Sequence, residues 1–221
     1  MAVNMMIEEK MLARVPVDGN AVFGDLVIPN GAKSIVVFAH GSGSSRFTAR
    51  NTQVARQINQ AGMATFLIDL MTRQEEEIDI STGEYRFNIE FLSQRLMQAA
   101  AWLRKSNSAK ELNIGLLGAN TGAAAALIAA AKLPNEVKAV VSRGGRPDLA
   151  GDYLFEVKAP TLLIVGGRDG EALDFNRNAM EHIPSEKKLA VVAGATQFFE
   201  EADALDKVSR LATGWFKKYL R

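Results

Sequence analysis

The sequence predicts an α/β protein, a mostly parallel sheet between two layers of helices with an antiparallel hairpin at the N-terminal edge. Three observations carry this. Short apolar runs of strand length alternate with longer segments whose apolar residues recur at helical spacing. The inner runs are apolar throughout, as in strands covered on both faces. The first two runs, "MLARVPV" and "AVFGDLVIP", instead flank "DGN", the composition of a tight hairpin turn.

After the hairpin, "SIVVFAH" (Ser34 to His40) is a buried strand and "GSGSSRF" a loop. A helical pattern runs from about Ala49 to Ala61, followed by the strand "MATFLIDL". "MTRQEEEIDISTGEYRFN" is a long, mostly polar stretch and reads as a loop at the mouth of a site. Ile89, Leu92, Leu96, Ala99 and Leu103 keep helical spacing. "NIGLLGANTGAAAALIAA" (Asn113 to Ala130) reads as strand, tight turn and alanine-rich helix. "VKAVVSR", "PTLLIVG" and "KKLAVVAG" are further strands, with helices near Leu173 to His182 and Asp203 to Leu220. A single domain over residues 1–221, with about seven or eight strands, is expected. Ligands of such sheets bind at the carboxyl ends of strands.

The bulk composition narrows the function. With 221 residues, 48% of them hydrophobic, the chain can bury a sizeable core. A net charge of +1 argues against nucleic acid or a membrane surface as partner. There is no cysteine, which excludes disulfides and cysteine-based metal sites and favours a reducing, cytoplasmic setting. Glu8 and Glu9 interrupt the apolar start, so it does not read as a signal peptide. The glycines of "GLLGANTG" lack the Lys-Ser/Thr of a phosphate loop and the spacing of a dinucleotide fingerprint. "EEEIDI" has carboxylates without histidine or cysteine and reads as a solvated segment. No metal, no cofactor and a small-molecule partner are expected.

The pieces "VVFAHGSGSS", "GLLGANTGAAAAL", "VVSRGGRPDLAG", "APTLLIVGGRD" and "GATQFFEE" occur in that order. In this series the chain resembles the dienelactone-hydrolase-like α/β-hydrolases over nearly its whole length. The resemblance implies a three-layer α/β-hydrolase fold and an ancestry in ester or lactone hydrolysis through an acyl-enzyme. It also implies a turn of the form Gly-x-nucleophile-x-Gly, with serine or cysteine at the centre. Here that turn reads Gly118-Ala119-Asn120-Thr121-Gly122. Asparagine tolerates positive φ better than most residues but is no nucleophile.

By the same resemblance Asp169 stands at the acid position, although a turn or helix-capping aspartate would look alike. Gln197, in "GATQ", stands where the family has its histidine, and glutamine is no base near neutral pH. The backbone N–H groups of Ser42 and Thr121 stand at the oxyanion-hole positions. His40, followed by Gly41, would hold the oxyanion loop. Phe47 and Met71 would line the pocket or simply pack. Arg143 would serve an anion subsite or pair with Asp148 or Asp152. Divergence and deliberate redesign would both leave this pattern. The expected protein is therefore hydrolase-fold, disabled at Asn120 and Gln197, with a retained ligand pocket. An enzyme using Asp169 as base beside the oxyanion hole, or a non-catalytic binding protein, are the alternatives.

Overall fold

The computed structural model describes residues 7–41 and 44–221. Strands β1 (Ile7–Val17) and β2 (Asn20–Pro29) form the hairpin. Asp18 and Gly19 turn between them with φ of 43° and 80°. Two successive positive φ values match the twist of the flanking strands, which is why a "DG" pair sits there. Then follow β3 (Ser34–Ala39), α1 (Ala49–Gln60), β4 (Ala64–Ile68), α2 (Arg73–Thr82), α3 (Ile89–Lys105) and β5 (Asn113–Asn120). The rest is α4 (Thr121–Lys132), β6 (Val137–Gly145), a 3-10 segment (Pro147–Glu156), β7 (Thr161–Gly166), α5 (Gly170–His182), β8 (Lys187–Val192) and α6 (Ala204–Tyr219).

The eight strands form one sheet in the order β1-β2-β4-β3-β5-β6-β7-β8. The β1–β2 and β2–β4 pairs are antiparallel and every other pair is parallel. Alternate side chains of β3 feed two cores: Ile35, Val37 and Ala39 face one, Val36 and Phe38 the other. The first core is covered by α3, α4 and part of α5, the second by α1 and α6. This is the three-layer arrangement expected. From β3 the chain first steps outward to β4, then returns past β3 to β5. The order reverses between β3 and β5, and the carboxyl ends of those strands flank the crevice where open α/β sheets bind ligands.

One segment departs from expectation. The polar stretch after β4 is not all loop, because residues 73–82 form α2. Its start is a capping box: the Glu75 N–H donates to the Thr72 hydroxyl and the Thr72 N–H to the Glu75 carboxylate, at 3.3 and 2.7 Å. Gly83, at φ 67°, ends it in the left-handed conformation. Asp79 is the residue of α2 that is buried. It organises the following turn by accepting from the N–H groups of Tyr85 and Arg86 at 2.8 and 2.9 Å and from Arg86 Nε at 2.7 Å.

Candidate active site

The turn between β5 and α4 is built by crowding. A Cβ on Gly118 would lie 2.4 Å from the Ala123 Cα, and one on Gly122 would lie 2.3 Å from the Ala39 carbonyl oxygen. A Cβ on Gly41 would sit 2.4 Å from that of Asn120. Three glycines thus let β3, β5 and α4 converge on one residue. Asn120 has φ 50° and ψ −125°. The positive φ is as expected, but this ψ lies outside the left-handed helical basin that asparagine visits readily. The conformation is held by its surroundings, at a cost of about 1–3 kcal/mol. The Asn120 carbonyl accepts from the Arg146 N–H at 3.1 Å, tying the turn to the end of β6.

Asn120 opens onto a small recess of about 50 Å³, partly open to solvent. Its walls come from four separated stretches: Gly41 and Ser44 with Arg50, then Ala119 and Asn120, then Arg143 and Gly144, then Gln197 and Phe198. Gly144, at φ 51°, admits the last of these, since a Cβ there would stand 2.5 Å from the Gln197 carbonyl oxygen. Thus Gly144 serves the close approach of two loops, while Gly145 serves that of β6 to α4, where a Cβ would stand 2.3 Å from the Ala123 Cβ. Asn120 and Gln197 both line the recess.

Asp169 does not line this recess. It caps α5, its carboxylate accepting from the Ala172 N–H at 3.1 Å. Its backbone nevertheless follows directly on the loop beside residues 193–197, where the Arg168 N–H donates to the Ala195 carbonyl at 2.9 Å. Thr121 begins α4 and is buried; its hydroxyl has no partner among the described residues. Ser42, at the other oxyanion position, lies outside the described residues.

The expected pocket residues divide. Gly41 and Arg143 line the recess, whereas His40, Phe47 and Met71 are not among its lining residues. Phe47 is 68% exposed, with the Arg46 guanidinium 4.2 Å from its ring centre. Met71 is half-buried between β4 and the cap of α2. His40 lies buried beneath the turn, its Nδ1–H donating to the Gly41 carbonyl at 3.3 Å. Its Nε2 is 3.9 Å from Asp69, but this is no ion pair. Burial, reinforced by the nearby Arg46 charge and only partly offset by the Gly41 bond, lowers the histidine pKa. The ring is neutral, and the Asp69 carboxylate is taken by Arg46.

Arg143 corrects an expectation. Asp148 pairs with Arg146, at 2.7 Å, and no salt bridge joins Arg143 to Asp148 or Asp152. The Arg143 side chain reaches under the start of α1 and donates to Asn51 Oδ1 at 2.8 Å and to the Arg50 carbonyl at 3.4 Å. Arg146 could take Asp148 because the two lie two residues apart on the turn leaving β6, while Arg143 still points from the strand into the fold.

Among the described residues no cluster of histidine and carboxylate side chains could hold a metal ion, and no helix is long and apolar enough to cross a membrane. The sequence pattern of the dienelactone hydrolase family matches residues 23–204. A solved structure of a dienelactone hydrolase from Anabaena variabilis is 51% identical, with a TM-score of 0.95 over 96% of this chain and 99% of that one. A dienelactone hydrolase-like promiscuous phosphotriesterase from metagenomic libraries shares the fold at 14% identity, with a TM-score of 0.78 over 96% of this chain and 99% of that one. A Mycobacterium tuberculosis protein with a provisional phosphoribosyl transferase name is 50% identical over 199 residues, 90% of this chain. The chain spans less than half of that relative, 44% of its length. With the family pattern matched from β2 to the start of α6 and the strained turn in its place, the chain belongs to the dienelactone hydrolase family.

Proposed function

We propose that this chain is a ligand-binding member of the family in which triad chemistry is disabled at Asn120 and Gln197, and that the recess takes a small ester- or lactone-like molecule. One observation carries the reading: the strained apex of the turn, where the attacking atom would stand, holds a neutral amide, and the facing loop supplies a second. Acyl transfer by this route needs an oxygen or sulfur to attack the carbonyl and a base to take its proton. Neither amide does either at neutral pH. The N-terminus of α4, with its unpaired N–H groups, still favours a polarised carbonyl oxygen at that spot.

A mechanism with Asp169 as base is less well supported, because its carboxylate is turned to the end of α5 and does not line the recess. The transferase name of the M. tuberculosis relative describes a protein more than twice the matched length. The hydrolase-type turn favours the ester reading over it.

Repair tests the proposal. Asn120→Ser alone lacks a base and Gln197→His alone lacks a nucleophile, so each should hydrolyse p-nitrophenyl acetate little faster than the parent. The double variant should gain roughly 10²–10⁴-fold over either, the usual contribution of general-base assistance. It should also be labelled by a fluorophosphonate at residue 120, where the parent gives no adduct by intact mass. A folded double variant no faster than the single ones, or a stoichiometric adduct at Asn120 of the parent, refutes the assignment.

A further inference from the structure

Asn120 is held in the backbone conformation in which an asparagine side chain is open to attack by its own chain. An asparagine loses its side-chain nitrogen when the backbone nitrogen of the next residue bonds to its Cγ and closes a five-membered imide. Closure needs that nitrogen to eclipse the asparagine Cβ, and tetrahedral geometry at Cα puts the eclipse at a ψ of about −120°. Helical and extended residues, with ψ of about −40° and about +135°, hold the two groups far from eclipse, which is how folding ordinarily protects asparagine. Asn120 has ψ −125°. Three further features favour attack. The Asn120 side chain makes no capping hydrogen bond to α4, so its carboxamide is not tied away from the Thr121 nitrogen. Thr121 opens the helix, so its N–H has no partner within α4. The helix dipole and the Arg143 and Arg50 guanidinium groups, which line the same recess, favour the negative charge that builds on the nitrogen and then on the Cγ oxygen. Arg143 is buried and its hydrogen bonds go to the neutral oxygens of Asn51 and Arg50, so its charge is not spent on a carboxylate.

We propose that Asn120 is a self-modification site: the folded chain deamidates it through an imide with the Thr121 nitrogen and leaves an aspartate at the apex of the turn. The inference does not depend on what the recess binds. In the first step the Thr121 nitrogen gives its proton to hydroxide and bonds to Cγ, and the side-chain nitrogen takes a proton from water and leaves as ammonia. In the second step water adds to one imide carbonyl and the bond from that carbon to the Thr121 nitrogen breaks. Addition at Cγ restores the Thr121 peptide bond and gives aspartate. Addition at the main-chain carbonyl gives isoaspartate, whose backbone is one carbon longer. The fold selects the first. Asn120 borders the partly open recess, which admits water, whereas its main-chain carbonyl is engaged by the Arg146 N–H at 3.1 Å. A turn in which an added Cβ would meet backbone at 2.4 Å from Gly118 and 2.3 Å from Gly122 has no room for a longer main chain. The product carboxylate shares the recess with both guanidinium groups and supplies the buried Arg143 with a counter-charge.

The test is ageing of the freshly purified full chain for days at mildly alkaline pH, folded and in parallel in urea, followed by intact mass and peptide fragmentation. Asn30, exposed and followed by Gly31, is the internal reference, because glycine leaves the attacking nitrogen least hindered. In urea Asn30 should convert first and Asn120, hindered by the Thr121 side chain, should lag. In the folded chain residue 120 should gain about 1 Da at least about tenfold faster than it does in urea, the effect of holding the reacting atoms in register. The product should be mainly aspartate, and hydroxylamine present during ageing should trap the imide. Asn120→Gln, which would have to close a six-membered ring, should stay unconverted. A fresh chain already converted at residue 120 and not at Asn30 would equally support the inference. Conversion at residue 120 no faster in the folded chain than in urea, isoaspartate as the main folded product, or aspartate formed with no imide trapped would each overturn it. Its failure is separable from that of the proposed function, because the repair by Asn120→Ser and Gln197→His is read as hydrolysis in chains that lack this asparagine.

Discussion

His40 and Arg143 are neighbours of the same turn, and each is a buried ionisable group that the fold treats differently. His40 escapes its burial cost by staying neutral, its Nδ1–H committed to the Gly41 carbonyl. Its pKa lies below the ordinary 6.5, so the unfolded chain binds the proton more readily than the folded one. Stability from this residue is complete above pH 6.5 and falls as pH drops through that value toward the lower folded pKa. The slope in that window can reach about 1.4 kcal/mol per pH unit. Urea unfolding between pH 5 and 7.5 should show it, and His40→Gln should flatten the profile. An unchanged slope in the variant would show that other groups govern acid stability. The sequence placed His40 at the turn but could not show which neighbour would claim its ring. Likewise Arg143 looked like a partner for Asp148 by proximity, until the strand direction carried its side chain to Asn51. Phe47 and Met71 lay on the right loops, but a loop's position does not say which way its side chains turn.

Among the elements, α4 depends most on what is missing from its side chains. Every residue from Thr121 to Ala131 is buried, so the helix packs on all sides, and apart from Leu127 and Ile128 these residues are no larger than threonine. Gly122 is the sharpest case, because its added Cβ would meet backbone, the Ala39 carbonyl, which cannot rotate away. Gly122→Ala should destabilise by roughly 1–3 kcal/mol, as overpacking does. Gly214, in α6, is exposed with nothing within 4 Å of its added Cβ. There alanine should stabilise by about 0.5–1 kcal/mol through helix propensity. Chemical denaturation of the two variants side by side should give opposite signs; a shared sign would contradict the crowding described at the turn. Helices with an apolar stripe, such as α3, were legible from spacing alone. Helix α2 was not, because Asp79 is the buried residue it presents and no stripe announces it. Its signal was Thr72 followed three residues later by Glu75, a capping pair that hydrophobic periodicity does not register.

At the scale of the molecule, the sheet was readable because its inner strands are apolar on both faces and alternate with helices, and the hairpin because of its turn. The recess was readable only in part, since it is assembled from residues 41 to 198 of the chain. That assembly has a consequence for how the protein opens. A ligand seated there clasps β3, β5, β6 and the loop beyond β8 at once, so no one of them can part from the others without releasing it. The β1–β2 hairpin, at the far edge of the sheet, holds no share in the clasp. With a small lactone at about 100 times its Kd, openings that break the recess should become roughly 100-fold rarer, about 2.7 kcal/mol. Amide hydrogen exchange should slow by that factor in β5 and β6, while the outer amides of β1 exchange at their former rate. Uniform slowing across the hairpin as well would mean that the whole sheet opens as a single unit. The reversal of strand order between β3 and β5 would then do more than locate a ligand: it would let a molecule of a few atoms decide which parts of the chain are permitted to breathe.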